Sequence, residues 1–174
     1  MHPPGTVEHG SLDWLNGLDE GDAASQLRSC CQADSWVRGM VEGRPYSSRR
    51  DLVNASDRLV AALDDEGLAA ALAAHARIGE RRTGDSREDS WSRAEQAGAW
   101  TAEAELQRGI QEGNREYERR FGHIFLIRAA GRSAQEMYDA QQARLGNDEA
   151  TERAVVLHEL AEIVRLRLEV LVTP

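Results

Sequence analysis

No lysine occurs in this sequence; all 21 basic residues are arginine. That excludes chemistry that needs a lysine amine: a pyridoxal phosphate Schiff base, a lysine imine with a keto acid, or a Walker-type phosphate loop. Arginine cannot stand in, because its guanidinium keeps its proton at working pH. Cysteine is nearly as scarce. Cys30 and Cys31 are the only two and are neighbours, so no disulfide framework can form. They read as two small apolar residues near a helix end. Long apolar runs are missing as well, and a membrane span needs ~18 such residues. Met1–Gly10 has neither a basic start nor an apolar stretch, and the final Leu171-Val172-Thr173-Pro174 is no retention or peroxisomal address, so a cytoplasmic location is expected. Basic charge is in the minority, 21 groups against 30 acidic ones, for a net charge of −9. Such a surface repels phosphate backbones and argues against a nucleic-acid partner.

What is present suits one globular domain: 174 residues, 41% of them hydrophobic, enough for an ordinary core. Residues 1–11 carry prolines and glycines without periodicity and read as a flexible lead-in, leaving 12–174 as a single compact domain. Nothing is assigned before about Asp22. Thereafter the pattern is helical. Ala23, Ala24, Leu27, Cys30 and Cys31 form one stripe, and Trp36, Val37, Met40 and Val41 the next, ending before Gly43-Arg44-Pro45 because proline disfavours helix in the residue before it. Ser48 is placed to cap a third helix, and Asp64 and Asp65 open a fourth. Arg77–Arg87 reads as a loop. A helical region from about Asp89 to Arg120 has expected breaks at Gly98, Gly109 and Gly113. His123–Ala130 is the one β-like run, and without a partner strand it is expected to be a buried extended connector or a helix end. Ser133 and Glu136 form a capping box, and Asn147 is expected to cap the last, most apolar helix. The fold class is therefore all-α, with seven to nine helices.

No metal-ligand spacing, glycine-rich phosphate loop or nucleophile elbow occurs, so neither a metal nor another cofactor is indicated. His75 ends an alanine-rich helix and opens the segment Ala76-Arg77-Ile78-Gly79. A helix C-terminus favours protonated histidine, although a histidine there can simply cap carbonyls. Ser92, Glu95 and Gln96 share one helix face by spacing, either lining a cavity or facing solvent. One arginine of Arg165-Leu166-Arg167 must point nearer the core than the other; a partly buried guanidinium seeks an anion, on a ligand or in an internal salt bridge.

Taken in order, these pieces resemble a known family. Cys30-Cys31, Trp36, Met40 and Arg44-Pro45-Tyr46 are similar to its C-C-x-x-x-x-W-x-x-x-M-x-x-x-R-P-F segment, and His75-Ala76-Arg77-Ile78-Gly79 to its H-P-R-I-G signature. Glu95-Gln96-Ala97-Gly98 resembles E-Q-x-G; Asn114, Tyr117, Glu118, Phe121 and Gly122 resemble N-x-x-Y-E-x-x-F-G. Phe125 to Ser133 resembles F-I-x-x-A-x-G-R-S, followed by Glu136-Met137, Arg144-Leu145, Asn147-Asp148 and Leu166-Arg167-Leu168. The family is 2-oxo-4-hydroxy-4-carboxy-5-ureidoimidazoline (OHCU) decarboxylase, which closes the conversion of urate to allantoin. Ala76 stands where the family usually has proline, Arg128 where it often has cysteine, and Tyr46 where it has phenylalanine.

The resemblance implies a cofactor-free lyase acting on OHCU. The substrate's own C=N group accepts the electrons released with carbon dioxide, and one-sided protonation yields (S)-allantoin. His75 would be the acid–base group, Glu95 its partner and Arg167 the anion-binding arginine. Ala76, Ser92, Arg93, Ala94, Glu95 and Gln96, with Ile127, Arg128, Ala129, Ala130 and Gly131, would bind the substrate. The implied partners are that small molecule and, functionally, the other urate-pathway enzymes, with a homodimer left open and no membrane. The rival reading is a non-catalytic acidic helical module that binds a protein through an apolar groove.

Overall fold

The computed structural model describes residues 10–79 and 93–174, the side chains of 93–101 excepted. Among the described residues it is all-α, with eight helices and no strand: α1 (Leu12–Gly17), α2 (Glu20–Arg28), α3 (Asp34–Glu42), α4 (Arg49–Ala61), α5 (Asp65–Ala73), α6 (Arg93–Phe121), α7 (Ala134–Arg144) and α8 (Glu149–Leu171). The chain separates into two compact units. One comprises the residues up to Ala74 with Ala154–Pro174, the other His75–Arg153.

Polar side chains set the helix starts. Ser11, Asp19, Ser48, Asp64 and Ser133 each accept a hydrogen bond from a first-turn amide, an interaction worth about 1 kcal/mol per helix. Ser133 and Glu136 complete the expected capping box in both directions. The last helix departs from expectation. Asp148 accepts from the Thr151 amide at 2.7 Å, while Asn147 turns inward and donates to Glu152 Oε2 at 2.9 Å. Asp148 takes the cap position one residue later, and the Asn147 side chain bonds the buried Glu152 carboxylate.

In the first unit α2 packs on α3 and α3 on α4. Trp36 is fully buried and donates its indole N–H to Ser56 Oγ at 3.1 Å. Along α8, Val156, Leu160, Val164, Leu168 and then Val172 are all buried. This i, i+4 stripe is narrower than expected, since Val155, Ile163 and Leu171 stay half-buried. Cys30 and Cys31 lie beyond α2 and are buried. Arg44 donates to the carbonyls of Leu15 and Leu18 at 2.8 Å each, which ties down the C-terminal end of α1. The sequence reading gave α1 no element, although Ser11 and Leu15 carry its cap and its buried face.

In the second unit α6 runs unbroken through Gly98, Gly109 and Gly113, the candidate break points of that helical region. At two of these the missing side chain lets α7 approach. A Cβ on Gly109 would sit 3.0 Å from Tyr138 Cε2, and one on Gly113 would sit 1.9 Å from Gln141 Oε1. Between α6 and α7 the β-like run is an irregular connector with Phe125, Leu126 and Ile127 buried, as its apolar composition requires. Tyr117, Phe125 and Ile127 form a cluster joined by Ile78, Phe121, Met137, Ala140 and Leu145.

Candidate active site

His75 follows Ala74, the C-cap of α5, and is half-buried at the start of the second unit. Of the residues after it, two are hydrogen-bonded to α6. Ala76 is exposed. Arg77 donates Nε and Nη2 to the two Glu118 oxygens at 2.5 and 2.9 Å, the forked geometry only a guanidinium provides. The Ile78 carbonyl accepts from Asn114 Nδ2 at 2.8 Å, and its side chain joins the Tyr117 cluster. Gly79 has φ +81°, and a Cβ there would lie 3.2 Å from both Gln107 Oε1 and Ile110 Cγ2. Glycine is thus required twice over, by conformation and by space. Glu118 is held below the usual carboxylate range by its hydrogen bonds to Arg77, so the fork is between full charges at neutral pH.

The connector is fixed by a buried charge network. Arg144 donates Nη1 to the Leu126 carbonyl at 2.7 Å, and Nε and Nη2 to Glu152 Oε1 at 2.9 and 2.6 Å. Its guanidinium lies 4.4 Å from the Phe125 ring centroid, a favourable cation–π placement. Tyr117 donates its hydroxyl to the same Glu152 oxygen. Burial, then the Glu152 carboxylate, pushes the Tyr117 hydroxyl far above its ordinary value, so it stays a donor. Immediately beyond this anchor come Ile127, buried, and Arg128 to Gly131, increasingly exposed, with Gly131 at φ +78°.

The proposed site residues therefore divide. The His75 turn and the Ile127–Gly131 connector lie in one unit and meet on one cluster, through Ile78 and Ile127. Arg93, Ala94, Glu95 and Gln96 lie in the first turn of α6; their side chains, and Ser92 altogether, fall outside the described residues. Arg167 belongs to the other unit, half-buried, with Nη1 donating to the Cys30 carbonyl at 3.1 Å. Arg165, two residues earlier, forms ion pairs with Asp57 at 2.8 Å and Glu162 at 2.9 Å. Cys30 is pushed up to about 11 by burial, against smaller opposing effects from Ser29 and Arg167, and is a neutral thiol rather than a nucleophile. Sequence reasoning gave no role to Asn114, Glu118 and Arg144 and passed over Gln141 and Glu152, the groups that hold the two segments. Asn114, Gln141, Arg144 and Glu152 are polar residues that the fold buries, which their spacing in the sequence does not signal.

Among the described residues no group of three or more His, Cys, Asp or Glu is placed to hold a metal, and no helix is long and apolar enough to cross a membrane. Curated relatives include the Bacillus subtilis "Uric acid degradation bifunctional protein PucL", 29% identical over 94% of this chain and 33% of its own length. The Arabidopsis thaliana "Uric acid degradation bifunctional protein TTL" is 28% identical over 82% of this chain and 45% of its own. The chain thus spans between a third and a half of these two relatives. A protein from Amia calva named 2-oxo-4-hydroxy-4-carboxy-5-ureidoimidazoline decarboxylase is 28% identical over 73% of this chain and 74% of its own length. The crystal structure of an OHCU decarboxylase in the presence of (S)-allantoin matches in fold with a TM-score of 0.69 at 22% identity, over 86% of this chain and 98% of that one. The model of the OHCU decarboxylase family matches residues 16–169, and the chain belongs to that family.

Proposed function

We propose that this chain converts OHCU to (S)-allantoin and carbon dioxide without a cofactor, with residues 12–174 acting as one catalytic domain. The observation that carries this reading is the anchored turn of His75: of the three residues after Ala76, Arg77 and Ile78 are hydrogen-bonded to α6 and Gly79 packs close against it, which suits an imidazole that must deliver a proton to one face. Membership of the family over residues 16–169 supports it.

The chemistry needs little beyond positioned acids and donors. The bond from the ring carbon to the carboxylate breaks, and its electron pair forms a double bond to the neighbouring ring carbon. The C=N pair moves onto nitrogen, which takes a proton. The resulting enol then gains a proton on carbon and loses one from its hydroxyl. His75 supplies the carbon-bound proton, Glu95 orients His75 or the substrate, and Arg167 grips the carboxylate or ring oxygens in a fork. Ser92 and Gln96 bind the ureido and ring amides, and backbone groups of Ala76, Arg93, Ala94 and Ile127–Gly131 close the pocket.

The test is turnover of freshly generated OHCU, followed by the circular dichroism of the product, with and without exhaustive chelation. An enantiomeric excess of (S)-allantoin, formed above the spontaneous rate and insensitive to chelation, is expected. Racemic product at the background rate, as the protein-binding module would give, overturns the reading.

A further inference from the structure

We propose that Asn114, oriented by Gln141, is a positioning residue for His75, acting through the carbonyl of Ile78; this rests on the reading of His75 as the acid–base group. Both amides are buried, Asn114 at 4% exposure and Gln141 at 1%. Gln141 Nε2 donates to Asn114 Oδ1 at 2.7 Å and to the Ile110 carbonyl at 3.3 Å. Asn114 Nδ2 then donates to the Ile78 carbonyl at 2.8 Å. The chain has one direction only. Turning the Asn114 amide over would set Oδ1 against the Ile78 oxygen and Nδ2 against Gln141 Nε2, so both contacts would become repulsive.

Gln141 serves this orientation at a cost. Its Oε1 is buried without a hydrogen-bond partner and lies where a Cβ on Gly113 would be 1.9 Å away. A buried acceptor left unpaired is destabilising. An apolar residue at 141 would remove that cost, but would also remove one of the two contacts that set the direction of the Asn114 amide. The turn it controls has Ala76 where proline is usual in the family, so its backbone is less restricted than a prolyl segment and depends on side-chain anchors. A proton donor that sets product handedness must be held in orientation as well as in place.

Two variants test this. In Asn114→Asp at pH 8 the introduced carboxylate faces the Ile78 carbonyl without a donor. As pH falls the acid form regains an O–H for Ile78 and still accepts from Gln141; Glu118, one turn further along α6, is already engaged by Arg77. A kcat at least 10-fold below that of the unaltered protein at pH 8 is expected, with KM within threefold and the deficit shrinking at least threefold by pH 5.5. A kcat within twofold at pH 8, or a deficit equal at both pH values, overturns the proposal. Gln141→Met removes the unpaired acceptor; a melting temperature unchanged or higher is expected together with a kcat at least threefold lower. Should Asn114→Asp fail to fold, unchanged activity in Gln141→Met overturns the proposal. The His75 imidazole signals in NMR need no substrate. They are expected to shift or broaden in either variant, and their invariance overturns the proposal. Absence of turnover by the unaltered protein overturns the acid–base reading instead, and the NMR result then decides the positioning.

Discussion

Glu152 offers a test whose size follows from the structure. It is 1% exposed, and Arg144 is 7% exposed. One Glu152 oxygen accepts from two Arg144 nitrogens and the Tyr117 hydroxyl, the other from Asn147. Glu152→Leu leaves the guanidinium buried beside Phe125 with no anion, and breaking one partner of such a pair costs about 3–5 kcal/mol. At about 2–4 °C per kcal/mol for a chain of this length, the melting temperature should fall by about 6–20 °C. Arg144→Met should cost a similar amount by leaving the Glu152 carboxylate and the Leu126 carbonyl short of donors. The double variant carries no buried charge, so it should lose clearly less than the two singles together, with a coupling of at least about 1 kcal/mol. It will not recover fully, because the Leu126 carbonyl and the Tyr117 hydroxyl stay unpaired at about 1–3 kcal/mol each. Urea denaturation of all four proteins measures the cycle. Single losses under about 1 kcal/mol, or strict additivity, would refute the claim that this pair holds the connector.

His75→Asn should lower kcat by about 10²-fold or more with the fold retained by circular dichroism; an active or an unfolded variant counts against the acid–base assignment. Arg167→Lys should be nearly as damaging to kcat/KM as Arg167→Ala, since an ammonium lacks the fork. Arg165→Lys, which keeps a charge for Asp57 and Glu162, should remain active and lose no more than about 1 kcal/mol of stability. Gly113→Ala should be destabilising by about 1–3 kcal/mol, because the collision with Gln141 Oε1 outweighs the ~1 kcal/mol gain in helix propensity. Cys30 and Tyr117 are both raised by burial in the folded chain, Cys30 from 9.0 to about 11. The stability they contribute is complete below pH 9 and is lost as pH rises towards 11, because the unfolded chain gives up those protons first. Urea midpoints measured between pH 8 and 11 should fall accordingly, and the native thiols should react with a disulfide reagent only on unfolding.

The sequence was most informative where a local rule and the tertiary structure agree. Ser48, Asp64 and Ser133 cap the helices expected of them, and the connector is buried over Phe125–Ile127, the centre of its apolar run. It misled where packing overrides local preference. Gly109 and Gly113 look like breaks in one dimension, yet they are the surface against which Tyr138 and Gln141 close. Asn147 looks like a cap and is drawn to a carboxylate instead. Of the proposed site residues, His75 and Arg167 stood out by position. The Asn114–Gln141 amides did not, because their direction is set by partners 27 and 36 residues away in the chain.

The contact between Gly113 and Gln141 also constrains how this sequence can drift. Any side chain at 113 occupies the space of the Gln141 amide, so even a methyl group there displaces that amide from its place against Asn114. Once it is displaced, Asn114 loses one of the two contacts that orient it, and the anchor of the His75 turn is weakened. Positions 113, 114 and 141 are therefore coupled, and a change at one alters the cost of a change at the others. Descendants of this chain that keep asparagine at 114 should keep glycine at 113 and glutamine at 141, whatever happens to the solvent-facing residues between them.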